Sequence, residues 1–245
     1  MILQYWKSVF LACAVSLLLV GCSTTNSVPV AVQQSPAGRK LAIVSAIGTE
    51  MHVKRLGTTV FGNKEKVVDV GAWELDLLIT ERVAAHAKER GFDVVVLNDA
   101  SVHAMFRKID SEDSVKMWRI GEQRKKIAEF AKANGVDMVL AITAPDYTDV
   151  IFGSNQTIRS FGIYELSSLF ATQGVEYALA QTVIFNGADG KQMAYQTDYA
   201  RHDRPKDETL PDDLTVDPRE LEEARAIITQ LYERLIADEL NKLKL

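Results

Sequence analysis

The sequence predicts an α/β chain of mixed, α+β character: two strand-helix-strand units, then an antiparallel three-strand meander, then a C-terminal helix, all on one mixed sheet. Three observations carry this reading. Between residues 41 and 143, short apolar runs of strand length alternate with longer stretches of helical period, as parallel strands with crossover helices do. The two helix exits are alike, Arg90-Gly91-Phe92-Asp93 and Asn134-Gly135-Val136-Asp137, each a glycine stop, an apolar residue, an aspartate and then a strand. After Pro145 the runs alternate and are joined by turn residues, which is antiparallel character.

The elements follow in order. Leu41-Ala42-Ile43-Val44-Ser45-Ala46-Ile47 is apolar on both faces, like a central parallel strand covered by helices. Residues 72–90 place Leu75, Leu78, Ile79, Val83 and Ala87 at helical spacing, and Phe92-Asp93-Val94-Val95-Val96-Leu97 is a β-branched run of strand length. A short amphipathic piece, 101–109, leads to a second long helix over 115–134 and a buried strand over 136–143. The meander takes 156–164, 175–185 and 192–201, with Val175, Tyr177, Leu179, Val183 and Phe185 on one face of its middle strand. Residues 186–191 join the last two strands as a glycine-bearing hairpin loop, which lacks the ligand ladder and closing glutamate of a calcium site. After a polar loop at 203–215, Asp217-Pro218-Arg219-Glu220 gives an aspartate N-cap, a proline at the first helical position and a glutamate at the third. Leu221, Ala224, Ile228, Leu231, Leu235, Leu240 and Leu243 then form a stripe that predicts a helix lying across the sheet.

Residues 49–71 stand where such a unit normally takes about 2 to 6 residues. Met51-His52-Val53-Lys54-Arg55-Leu56 and Thr58-Thr59-Val60-Phe61, with Gly57 between them and Gly62-Asn63 after them, predict a hairpin-like insertion. Leu56, Val60 and Phe61, with Lys54, Arg55, Lys64 and Lys66 around them, have the make-up of a partner-contact patch with a charged rim. The alternative is a hairpin folded back over a sheet edge.

At the other end of the chain, a Lys7-bearing start precedes an apolar run over 9–20, shorter than the roughly 20 residues of a spanning helix, and then Gly21-Cys22-Ser23. Leu19-Val20-Gly21-Cys22 resembles the lipobox of bacterial lipoproteins. The resemblance implies cleavage between Gly21 and Cys22, a lipid on Cys22, and, because Ser23 is not aspartate, retention at the outer membrane. The organisation expected is a signal peptide over 1–21, a lipidated N-terminus and linker over 22–39, and one periplasmic domain over 40–245. The linker is small, polar and proline-punctuated, and as a coil spans on the order of 20–25 Å.

Composition bounds the chemistry. A net charge of -5 with 25% charged and 47% hydrophobic residues is globular, and no basic cluster exceeds Arg124-Lys125-Lys126, so nucleic acid is not an expected partner. The two cysteines are Cys13 and Cys22, which leaves the domain no thiol for redox or metal work. His52, His86, His103 and His202 show no metal-ligand spacing, and no nucleophile-elbow, Walker or dinucleotide motif occurs. No cofactor, metal or catalytic residue is expected. Arg201-His202-Asp203-Arg204 is the most polar cluster, and a hydrolase pairing His202 with a carboxylate is the alternative to a non-enzymatic role.

With its lipobox, the order of elements resembles a group of envelope lipoproteins that includes the curli-secretion lipoprotein, the lipoprotein activators of penicillin-binding proteins and the amino-terminal domain of the Tol-system propeller protein. The resemblance rests on Ile120-Gly121, on Val136-Asp137-Met138-Val139-Leu140 and on the 186–191 hairpin. It implies a membrane contact through the lipid on Cys22 and an envelope-protein partner or self-association, in assembly, secretion or regulation.

Overall fold

The computed structural model describes residues 38–110, 112, 115–169, 171–243 and 245. Gly21, Cys22 and the linker up to residue 37 lie outside the described residues. The domain is a mixed α/β structure built on an eight-stranded sheet with a long C-terminal helix, as the sequence predicts.

The strands are β1 (Lys40–Ala46), β2 (Glu50–Leu56), β3 (Lys64–Asp69), β4 (Asp93–Val96), β5 (Met138–Thr143), β8 (Phe161–Ser167), β9 (Thr172–Asn186) and β10 (Gln192–Asp203). A separate hairpin pairs β6 (Asp146–Thr148) with β7 (Thr157–Arg159). The helices are α1 (Leu75–Glu89), α2 (Ala100–Phe106), α3 (Met117–Asn134) and α4 (Pro218–Lys242).

The pairing register shows a sheet of two storeys. In the lower storey β1 runs parallel to β4 on one side and to β5 on the other. In the upper storey β2 pairs with β3 antiparallel and with β8 parallel. The 15-residue β9 is long enough to serve both, binding β8 through Thr172–Ala178 and β5 through Gln181–Asn186. Thus β2 continues the line of β1, and β8 continues the line of β5. The residues at 49–71 are therefore not an appendage to the sheet, because their first strand is one of its interior strands.

The break between the storeys is held by a buried carboxylate. Ile47 and Gly48 (φ +98°) interrupt the β1–β2 line, and Asp76, in the first turn of α1, accepts from Ile47 N at 2.7 Å, Gly48 N at 3.2 Å and Ser45 Oγ at 2.7 Å. Backbone donors released by the break are thereby satisfied away from water.

Each storey is covered on both faces. On one face α1, α4 and Leu210 and Leu214 of the 203–215 loop bury Ile43, Leu140, Met51, Ile163 and Ile184. On the other, α2 and α3 cover the lower storey over Val44, Val139, Val183 and Phe185. The β6–β7 hairpin and its loop cover the upper storey over Leu56, Tyr164, Val175, Tyr177 and Leu179. Val175, Tyr177, Leu179, Val183 and Phe185 do share one face of β9, and the storeys divide them between two clusters.

Several boundaries differ from the sequence reading. The first meander strand is split at Ser160, whose φ of +46° turns the chain between β7 and β8. The second strand of the 49–71 hairpin is Lys64–Asp69, and residues 58–61 form its tip, including the 3-10 turn Val60–Gly62. The reason is the close approach of two glycines: a Cβ on Gly57 would lie 2.6 Å from Gly62 Cα, so the chain reverses between them. Asp217 does cap α4, accepting from Arg219 N and Glu220 N, both at 2.9 Å. Glu220 does not close a capping box, since its carboxylate takes Arg204 Nη2 at 2.5 Å.

Candidate partner-contact surface

At the far end of the upper storey the β2–β3 and β8–β9 hairpins end side by side, because Leu56 is registered opposite Leu166. Thr58 Oγ1 donates to Ser167 O at 3.5 Å across the two tips. Gly57 N donates to Asn63 Oδ1 at 3.1 Å, closing the first tip on itself. Three large apolar side chains project from this end: Val60 is 73% exposed, Phe61 95% and Leu169 79%. Neither 56–63 nor 166–173 carries a charged residue, in a chain that is 25% charged. Adjoining exposed apolar side chains without charge are costly to hydrate and are the usual mark of a surface made for contact.

Of the candidates named from the sequence, Val60 and Phe61 belong to this surface and Leu56 does not. Leu56 is 6% exposed and packs with the upper-storey cluster, because the alternation of β2 turns it toward the β6–β7 side. Leu169 escapes the sequence reading. It lies in the turn after β8, a position to which periodicity gives no role, and its one signal is the uncharged run 166–173 itself.

The four cations expected to rim the patch have a different task. Arg55 Nε donates to Glu165 Oε1 at 2.6 Å, its Nη1 reaches Asp212 at 3.1 Å, and its Nη2 donates to Leu210 O. Glu165 in turn accepts from Leu210 N at 2.7 Å. Lys64 Nζ donates to Asp212 O at 2.6 Å and Lys66 Nζ to Thr215 Oγ1 at 3.3 Å. Lys54 is buried and donates to Thr157 O at 2.7 Å. These side chains brace the hairpin against the 203–215 loop and β7, which fixes the tips relative to the sheet.

The polar cluster at the end of β10 is divided. Arg201 Nη1 donates to Ile151 O at 3.0 Å, while Arg204 turns inward beside Glu176 at 3.5 Å and Glu220 at 2.5 Å. Burial pushes the Glu176 pKa up, and the Arg204 charge only partly offsets it. His202 is exposed and lies opposite Glu176 in the β9–β10 register. The other histidines are spread out: His52 bonds Glu65 at 3.0 Å, His86 bonds the Leu245 carbonyl at 2.9 Å, and His103 lies 3.9 Å from Asp76. A cleft of about 840 Å³, lined by Arg39, Lys132, Asp137, Met138 and Gly187 among others, contains no histidine. The 186–191 loop spends its polar side chains on itself, Asn186 accepting from Ala188 N at 2.8 Å and Asp189 from Lys191 N at 3.1 Å, which makes it a turn. Among the described residues no group of acidic, histidine or cysteine side chains is placed to hold a metal, and no helix is long and apolar enough to cross a membrane.

No protein-family model matches the chain. No curated protein sequence matches it either. Solved structures similar to it include lipoprotein GNA1162 from Neisseria meningitidis, at 14% identity over 83% of this chain and 100% of that one, with a TM-score of 0.30. Protein XCC0632 from Xanthomonas campestris is 10% identical over 85% of this chain and 86% of that one, with a TM-score of 0.39. The LpoB C-terminal domain from Salmonella enterica is 9% identical over 70% of this chain and 88% of that one, with a TM-score of 0.27. Superpositions this loose specify no shared site, activity or family.

Proposed function

We propose that the chain is a lipoprotein held at the outer membrane through a lipid on Cys22, with its domain in the periplasm, and that it serves without catalysis as an assembly, secretion or regulatory partner of another envelope protein. The lipobox-like Gly21-Cys22 supports the anchor. The observation that carries the partner role is the pair of uncharged tips bearing Val60, Phe61 and Leu169. They stand at the end of the sheet opposite Lys40, where the segment from Cys22 joins the domain, so the anchor leaves them accessible. Among the described residues no side chain covers them, and the bracing around Arg55 and Glu165 holds both loops ready for contact.

The test is co-purification from crosslinked membranes with Phe61→Ser and Leu169→Ser combined. Loss of a specific envelope protein, at an unchanged melting temperature, is the expected result. Retention of every partner by the double variant overturns the tip reading. The anchor is tested separately by Cys22→Ser, which should shift the chain out of the outer-membrane fraction.

A further inference from the structure

The sheet has open edges of unequal character. β3 is guarded by Lys64, Glu65, Lys66 and Asp69, and β4 is only 4 residues long. β10 is 12 residues long, pairs among the described residues only with β9, has no proline or lysine, and is uncharged from Gln192 to Thr197. This surface is separate from the apolar tips.

The direction of each β10 backbone group can be read from its pairing. Arg204 N donates to Gly174 O at 2.9 Å, and the β9–β10 register runs without a shift from there back to Ala194. Alternation along an antiparallel strand then turns the N–H and C=O of Thr197, Tyr199 and Arg201 away from β9. Two side chains stand in for a neighbouring strand there: Asp198 Oδ1 accepts from Tyr199 N at 2.9 Å while its Oδ2 takes Lys242 Nζ at 2.6 Å, and Gln196 Nε2 donates to Thr197 O at 3.3 Å.

This edge reads the same in both directions. Ala194-Tyr195-Gln196-Thr197-Asp198-Tyr199-Ala200 is symmetric about Thr197, apart from the exchange of the Gln196 amide for the shorter Asp198 carboxylate. A two-fold axis perpendicular to the sheet at Thr197 brings two such edges together antiparallel and keeps each face on its own side. It sets Ala194 opposite Ala200, Tyr195 opposite Tyr199, and the Gln196 amide opposite the Asp198 carboxylate of the second copy, twice over. Thr197 then exchanges backbone hydrogen bonds with its symmetry mate, and the cross-strand pairs are of stabilising kinds: aromatic with aromatic, amide donor with carboxylate acceptor. Two-fold, self-complementary contacts are also the commonest form of homo-oligomer.

We propose that the partner of the β10 edge is a second copy of this chain, joined through antiparallel pairing centred on Thr197, so that two eight-stranded sheets become one continuous sheet.

The experiment uses the lipidated protein in detergent, in which Thr197→Cys supplies a single free thiol. In the paired state the two Thr197 Cα atoms stand about 5.5 Å apart, inside the range of about 4.4–6.8 Å that a disulfide accepts. Mild oxidation should give a covalent dimer with Thr197→Cys and not with Ala85→Cys, an exposed control on α1. Thr197→Pro removes an outward N–H and leaves the backbone bonds to β9 in place, at the cost of the Gln181 Nε2 bond to the Thr197 hydroxyl, and Gln196→Glu sets like charges across the axis. Each should weaken the dimer measured by sedimentation by about tenfold or more. A protein that sediments as a monomer throughout, or a dimer that survives both variants and gives no more disulfide at Thr197 than at Ala85, overturns the proposal.

Discussion

Thr182 and Glu239 meet where α4 crosses β9: the threonine hydroxyl donates to Glu239 Oε2 at 2.5 Å, and both residues are fully buried. Glu239 Oε1 has no hydrogen-bond partner among the described residues. Burial pushes the Glu239 pKa well up, more than the Thr182 hydrogen bond lowers it. The native state therefore holds this proton more tightly than the unfolded chain does. Stability from this group is complete below the unfolded value of 4.5 and is lost as pH rises toward the folded value. Glu239→Gln keeps the shape and removes the titration. We expect it to flatten the fall in stability above pH 4.5 and, relative to the native chain, to become more favourable as pH rises. Urea melts from pH 4 to 8 check both.

Asp149 presents the opposite sign. It accepts from Ile151 N, Phe152 N and Ser154 N at 2.8–3.1 Å, from Ser154 Oγ at 2.6 Å and from Tyr164 Oη at 2.9 Å. Burial raises its pKa, but hydrogen bonds from Ser154, Phe152 and Tyr164 outweigh that and hold it below 3.8. Its contribution is present above pH 3.8 and disappears as pH falls through the folded value. Asp149→Ala strips the β6–β7 loop of its hub, and a loss of about 3 kcal/mol is expected at pH 7, shrinking as pH falls through the folded value.

Two glycines separate tight packing from simple helix propensity. A Cβ on Gly162 would stand 1.8 Å from the His52 carbonyl oxygen, backbone against backbone where β8 passes β2. Gly162→Ala should destabilise by about 3 kcal/mol or more. Gly121, exposed within α3, has nothing within 4 Å of where a Cβ would sit, and Gly121→Ala should stabilise by about 0.5–1 kcal/mol. Thermal melts of the pair decide both.

What the sequence discloses follows from which interactions are local. Gly135, at φ +62°, ends α3, and Asp217 caps α4, as their neighbours in sequence imply. Both crossover units are present, yet β5 lies beside β1 rather than β4, a choice made by packing on the two sheet faces and invisible to periodicity. The same limit applies to 49–71. Whether Met51 and Val53 belong to an arm or to an interior strand depends on β8, more than 100 residues later in the chain, and no local pattern encodes that partner. The site is legible in half: Val60 and Phe61 read as exposed apolar residues in a turn, but Leu56 looks equivalent to them until register places it inward.

That register makes the 49–71 hairpin part of the sheet, and Arg55 with Glu165 measures how firmly it is held. Both side chains are nearly buried, paired at 2.6 Å, and tied to the 203–215 loop through Leu210 and Asp212. Truncating one partner of such a pair leaves the other charge buried and unmatched, which costs more than the pair itself contributes. Arg55→Ala should therefore lose about 3–5 kcal/mol, whereas Arg55→Met with Glu165→Met should lose clearly less, because neither charge remains. Lys66→Ala, at an exposed contact, should change stability by less than about 0.5 kcal/mol. If the cations instead formed the rim of a contact surface, Arg55→Ala and Lys66→Ala would spare the melting temperature and weaken partner retention together. Measuring both quantities on the same variants separates a brace from a rim.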